Sequence, residues 1–413
     1  MRVPHRFLAA IVYSFLLIVS GPGETRAEAV ENVVRAEDTA TLQEKIGQMI
    51  LVGFLGNTVD RAGFKQVRAQ MESGEIGGVL YLGRNLKNRQ SVRRMNAELR
   101  EAAQTHLPPL IAIDQEGGKV QRLKRHHGFP HTPAAKRMAR RGDPSEAAQT
   151  YGALASALAD WGFTLNLGPV VDVDVNPRNP IIGRLGRSYS SDPDRVADYG
   201  AAFVSAHRHH GVLTALKHFP GHGSSRRDSH KGAVDVTATW SSDELEPFRQ
   251  LIDDANVDLI MTAHVINRSI ESVHEDVPMS LSETALVEVL RNDLGFDGVV
   301  ISDDIQMDAI RWNFSLEEAI LRAVQAQTDI LLFANDKRPD PRIPEKVAKI
   351  LLEAAENDPL LVRKIDAAYG RILTLKDRLR ESHDSRTSVS RMTDSRLSAI
   401  APGEHLCLLS PDQ

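Results

Sequence analysis

An α/β fold, a single (β/α)8 TIM barrel, is what this 413-residue sequence predicts, and three observations predict it. Eight short runs rich in Val, Ile and Leu recur over about 300 residues, as do strands buried on both faces of a parallel sheet. Helical patterns separate them, which is the alternation of an α/β fold. Several runs end in groups able to do chemistry, namely Asp114, Lys217, His218, His264 and Asp303, and strand ends are where barrel active sites sit. The alternative is an open doubly wound sheet. No Gly-x-Gly-x-x-Gly turn follows the first run, which weighs against it.

Taken in order, the chain begins with Arg2, His5 and Arg6, an apolar run over 7–20, and a break at Gly21, Pro22 and Gly23. Thr25-Arg26-Ala27 places small residues ahead of a cut after Ala27. This three-part layout predicts a secretory signal over residues 1–27 and an exported, periplasmic or secreted protein. The run is shorter than the roughly 20 residues that span a bilayer; the alternative is a membrane anchor formed by residues 7–20, and a membrane partner is expected only in that case. Thr41-Leu42-Gln43-Glu44 fits a capping box that opens the first helix. The apolar runs predict strands at 49–54, 76–82, 109–113, 164–171, 212–216, 257–263, 298–302 and 329–333. Helices are expected over 89–104, 145–161, 193–210, 241–255, 282–293 and 315–327, with Ser282 and Ser315 as caps, and a long helical stretch from 344 to 380. The barrel domain therefore occupies 40–380. Residues 381–413 are polar and are expected to form a mobile or loosely docked tail.

Composition narrows the function. Hydrophobic residues make up 42% and charged residues 25%, ordinary for a globular protein. A net charge of −5 leaves no basic footprint, so nucleic acid is not an expected partner. The one cysteine, Cys407, excludes an internal disulfide and a cysteine-rich metal centre. No cofactor is implied.

The densest chemistry lies in Lys217-His218-Phe219-Pro220-Gly221-His222-Gly223 and the Asp228-Ser229-His230 that follows. Asp228 and His230, two apart in an irregular loop, fit a carboxylate orienting an imidazole, which then gives and takes protons. Asp303, at the end of Val299-Val300-Ile301-Ser302, is placed to attack an electrophilic carbon; its neighbour Asp304 is expected to cap or support it. Lys217, His218 and His222 are donors for hydroxyls, a phosphate or a metal. The His218/His222 spacing resembles a ligand pair, but Pro220 and Gly221 break any helix that would align them, so no metal site is expected. Asp114, in Asp114-Gln115-Glu116-Gly117-Gly118, can accept hydroxyls, and Arg122 can bind an anion. Arg184 and Arg187 sit in another glycine-punctuated loop. These residues leave open a hydrolase that attacks through Asp303 or its phosphorolytic variant, a barrel metallohydrolase using His218, His222, His230, His264 and aspartates, and a non-catalytic sugar-binding protein.

These motifs resemble glycoside hydrolase family 3, in particular its single-domain bacterial β-N-acetylhexosaminidases. Lys217–Gly223 with Asp228–His230, Asp114–Arg122, Gly186–Tyr189 and Phe296–Asp304 match in order, and the resemblance covers roughly residues 40–380. It implies a barrel that removes terminal β-linked N-acetylhexosamine from peptidoglycan fragments or chitooligosaccharides, so the expected partner is an amino-sugar glycoside. It also implies Asp303 as nucleophile, His230 with Asp228 as acid/base dyad, and Asp114, Arg122, Arg187, Lys217 and His218 around the sugar. Larger family members draw their acid/base carboxylate from a second domain; here the resemblance gives that role to the loop-borne His230. The N-terminus departs from relatives that recycle cell wall in the cytoplasm.

Overall fold

A computed structural model describes residues 40–398 apart from 255, 256 and 275. The expected signal or anchor within residues 1–27 and the end of the tail, 399–413, lie outside the described residues. Eight parallel strands form the sheet: β1 (Ile50–Gly53), β2 (Gly78–Tyr81), β3 (Leu110–Ile113), β4 (Leu165–Asn166), β5 (Leu213–Phe219), β6 (Leu259–Thr262), β7 (Val299–Ser302) and β8 (Leu331–Phe333). They pair in the order β7-β6-β5-β4-β3-β2-β1-β8. A parallel bridge from Ile301 to Ile330 brings the two ends together. The barrel predicted from the sequence is thus the fold. Strand residues are buried on both sides because helices cover the outside and side chains fill the inside.

The helices begin where the sequence supplies a cap. Thr41 and Glu44 form the capping box of Leu42–Gln48, and Ser315 with Glu318 forms that of Leu316–Gln325. Asp143 and Asp192 each cap a helix whose first residue is proline, Pro144–Trp161 and Pro193–His209. Proline is tolerated there because its missing N–H would have had no partner. Buried acids at the lower ends of the strands tie the helices on. Asp258 receives Arg208 at 3.1 Å and Arg378 at 2.9 Å, and Asp329 receives Arg291 at 2.8 Å and Arg371 at 2.9 Å.

Several elements differ from expectation. The stretch 344–380 is two helices, Ile343–Ala355 and Pro359–Ser398; Asp358 caps the second. The backbone of that helix continues through part of the segment expected to be a tail. The expected strand 164–171 pairs regularly only at Leu165–Asn166, with one further bridge at Val170. Residues 241–255 split into a tight turn at Ser242–Leu245 and a helix at Glu246–Asp253, and Thr284–Asp293 winds as a π-helix. Ala62–Glu72, Ala135–Arg141 and Asp308–Arg311 are helices that the sequence reading did not place.

Candidate active site

The upper ends of β3, β4, β5, β6 and β7 converge on one polar centre. Asp114 follows β3. A two-stranded ribbon, Gln115–Gly117 against Val120–Gln121, then reverses the chain, which requires Gly117 and Gly118 at φ 117 and 58. The reversal returns Arg122 to Asp114, with Nη2 3.1 Å from Oδ2. Fully buried Gln115 fixes the turn by accepting N–H groups from Arg122 and Leu123. Asn166, at the end of β4, clamps the Gln115 backbone through both its amide atoms.

Lys217 and His218 lie inside β5, which runs on to Phe219, and not just past a strand as expected. The Lys217 side chain is 3% exposed. Its Nζ bridges Asp114 Oδ1 at 3.0 Å and Glu116 Oε1 at 2.8 Å. Arg187 forks onto Glu116, with contacts of 2.8 and 2.7 Å. Arg122, Asp114, Lys217, Glu116 and Arg187 therefore form a chain in which cations and carboxylates alternate. Burial alone would raise Asp114, but Lys217 and Arg122 outweigh it and hold the carboxyl well below its usual range. Burial acts likewise on Glu116, where Arg187 and Lys217 bring it down to about 2. Burial likewise opposes ionisation of Lys217, yet Glu116 and Asp114 raise its pKa overall.

Asp172 organises the next stretch. It accepts the backbone N–H of His218 at 3.1 Å and of His222 at 2.8 Å, and its Oδ2 is 2.7 Å from His218 Nδ1. The imidazole thus gives Nδ1–H to the carboxylate and presents Nε2 toward Arg187, 3.5 Å away. His222, expected to be a ligand donor, is instead buried between Ser225 and Ser229 at 2.9 and 3.1 Å. Burial lowers its pKa to about 4. Glu244, which sequence reasoning missed inside a presumed helix, is fully buried. Its Oε2 accepts the Gly223 and Ser224 N–H groups at 2.9 and 3.3 Å. Burial, aided by the charge of Asp172, pushes Glu244 up to about 7.

Asp303 leaves β7 with its N–H directed to Thr262 O and Oδ1 accepting from Asp304 N at 2.8 Å. Burial pulls its carboxyl up, but the imidazoles of His264, His218 and His230 outweigh burial and set it below the ordinary carboxylate value. It is ionised at neutral pH and able to act as a nucleophile. Asp304 takes the supporting place expected of it. It accepts from Gln306 and Ala334, and burial raises it to about 6.

His230 sits in a tight turn, Ser229–Lys231, capped by Asp228. One carboxylate oxygen receives both its backbone N–H and Nδ1, each at 2.9 Å. Hydrogen bonds within this turn outweigh burial and lower Asp228. The His230 side chain is 57% exposed. It borders a cavity of about 440 Å3 shared with Asp304, Gln306 and Ile310. The cavity thus brings the loop dyad beside Asp304, the neighbour of Asp303 at the end of β7. Among the described residues no group of three or more His, Cys, Asp or Glu is placed to hold a metal ion.

The model of the family described as "Glycosyl hydrolase family 3 N terminal domain" matches residues 41–375. "Beta-hexosaminidase A" of Pseudoalteromonas piscicida is 33% identical over 332 residues, 75% of this chain and 55% of that protein. This chain thus spans about half the length of that relative. A "Beta-hexosaminidase" of Tolumonas auensis is 35% identical over 267 residues, 63% of this chain and 76% of the relative. In three dimensions the chain is similar to a glycoside hydrolase family 3 β-N-acetylglucosaminidase from Paenibacillus sp. str. FPU-7. The TM-score is 0.76 at 32% identity, covering 91% of this chain and 66% of that one.

Proposed function

The chain belongs to glycosyl hydrolase family 3, and from that premise we propose that it is a retaining exo-β-N-acetylhexosaminidase acting on peptidoglycan fragments or chitooligosaccharides. The observation that carries this reading is Asp303, a carboxylate at the end of β7 whose neighbour Asp304 shares a cavity with His230, the imidazole that Asp228 orients. Asp303 attacks the anomeric carbon while the bond to the aglycone oxygen breaks, and protonated His230 gives that oxygen its proton. Neutral His230 then takes a proton from water, whose oxygen displaces Asp303 and releases the sugar. Asp114, Lys217, Arg122, Arg187 and His218 hold the hydroxyls and amide of the terminal sugar. They are pre-arranged by one another, so binding costs little reordering. No step calls on a cofactor. The reading extends to location: the leader-like residues 1–27 support action outside the cytoplasm, which fractionation of cells expressing the full chain tests.

The decisive experiment is covalent trapping. A 2-fluoro N-acetylglucosaminide analogue should leave one sugar on Asp303, read by mass spectrometry of the digested protein; labelling elsewhere, or none with turnover persisting, overturns the mechanism. In His230→Gly, poor leaving groups should lose about 10²- to 10⁴-fold in rate and good ones far less, because good ones need little proton help. Assays of chitobiose, muropeptides and a β-glucoside side by side rank the substrates.

A further inference from the structure

The turn that carries His230 is held differently at its two ends. Its N-terminal side is anchored in buried polar contacts: His222 Nε2 meets Ser229 Oγ, and Asn179 holds Ser225 Oγ at 3.0 Å and the His222 carbonyl at 2.7 Å. The C-terminal side leads through Gly232 into a two-stranded ribbon, Val234–Asp235 beside Val265–Ile266. There the chain passes Gly232, whose φ of 130 and ψ of −174 belong to a region open essentially to glycine alone. A Cβ built on Gly232 would lie 2.8 Å from Trp312 Cζ3 and 3.2 Å from Cε3. The indole occupies the space that any other residue at 232 would need. Trp312 is also 64% exposed, so its ring is not there to fill the core. Beside it, Lys337 Nζ lies 3.4 Å from the His230 carbonyl and 3.6 Å from Asp308.

We propose that Trp312 is a positioning residue: its indole, seated against Gly232, clasps the Asp228–His230 turn in place over Asp303 for proton transfer. The proposal rests on the assignment of His230 as the proton carrier. A clasp of this kind acts only on steps that need the proton. It leaves alone the buried charges that hold the sugar. Aromatic bulk without a hydrogen bond suffices for it, since the contact is ring carbon against backbone.

The test measures kcat/KM for a series of aryl N-acetyl-β-glucosaminides with leaving groups from poor to good. Trp312→Ala should lose about 10- to 100-fold with the poorest leaving group, the order expected when a proton donor shifts by an ångström or less. The best leaving group should change little, and Trp312→Phe should recover most of the loss. Gly232→Ala, which drives a methyl group into the ring, should reproduce the Trp312→Ala profile. In a His230→Gly background, Trp312→Ala should add nothing, because the group it positions is gone. A loss equal across leaving groups, or one that persists in the His230→Gly background, overturns the clasp in favour of a role in binding. A steep profile for His230→Gly beside a wild-type profile for Trp312→Ala overturns the clasp alone. A flat profile for His230→Gly itself removes the proton carrier and the clasp with it.

Discussion

On the proposed mechanism, the half of the site assigned to the sugar and the half assigned to the proton are built on opposite plans. Lys217 and Asp172 are buried on the barrel wall, Asp114, Glu116 and Arg187 are largely covered beside them, and each cation touches at least one carboxylate. Asp228 and His230 ride on a surface turn, and the imidazole is more than half exposed. The difference fits the role proposed for each half. Hydroxyl recognition gains from charges fixed in advance in a dry wall. Proton transfer first to a departing oxygen and then from water needs a group that solvent can reach. Mutations should therefore divide the site cleanly. Wall changes should cost stability together with binding, and loop changes should cost rate alone.

Asp303 stands at the seam, and its loss should have the largest effect on catalysis. Asp303→Asn keeps the shape and should lower kcat on the order of 10⁴-fold, with a melting temperature near that of the wild type. Comparable turnover would remove the nucleophile from the scheme. Next comes Lys217→Met, which leaves Asp114 and Glu116 facing each other in the wall without their shared cation. Breaking a buried pair from one side costs about 3–5 kcal/mol, so chemical denaturation should show a loss of that order. A variant as stable as the parent would mean that the wall is wetter and softer than its geometry indicates.

Glu244 tests the junction between the two plans, because it is a buried residue of the Ser242–Leu245 turn that holds the Gly223 and Ser224 amides between β5 and the His230 turn. Its pKa is raised from 4.5 to about 7 by burial. Between those values the folded protein retains a proton that the unfolded chain has lost. Stability therefore falls as pH rises from about 4.5 to 7, by at most about 3 kcal/mol. Above that window the full penalty is present. Asp304, raised to about 6, adds to the fall in the same direction. Glu244→Gln keeps an acceptor for the amides and abolishes the titration. Its melting temperature should vary less with pH over this range than that of the parent, and parallel curves would exclude Glu244 as the source.

Much of this was legible in the sequence, and the exceptions share a cause. Runs of Val, Ile and Leu ending in Asp114 or Asp303 located the strand ends, because a buried strand tolerates a charge only where it emerges. The rule of stopping a strand at its first charge then misplaced Lys217 and His218. A lysine inside β5 is allowed only because Asp114 and Glu116, about 100 positions earlier, meet it in space, and no local pattern records that. Asn166 was hidden in an apolar stretch and Glu244 among the charges of a presumed helix, and each has a distant backbone as its partner. The break at Glu356-Asn357-Asp358-Pro359 was available locally, since Asp before Pro is the same helix start that opens Pro144–Trp161 and Pro193–His209. The dyad was legible because Asp228 and His230 are two residues apart and need no third element to find each other.

The smallest effect separates the plans most sharply. Lys337 is a cation beside the proton-handling half, as Lys217 is beside the sugar-facing half, but its side chain is 65% exposed against 3%. Its contacts, to Asp308 and to the His230 carbonyl, lie in high dielectric, where such pairs contribute about 0–1 kcal/mol. Lys337→Ala should leave the melting temperature unchanged and reduce kcat/KM with poor leaving groups no more than several-fold, the reduction shrinking further as salt screens the parent's contact. A loss as large as that of Trp312→Ala would mean that charge, and not the indole, holds the turn. A drop in stability like that of Lys217→Met would mean that the loop is as much a part of the barrel wall as the sugar site is.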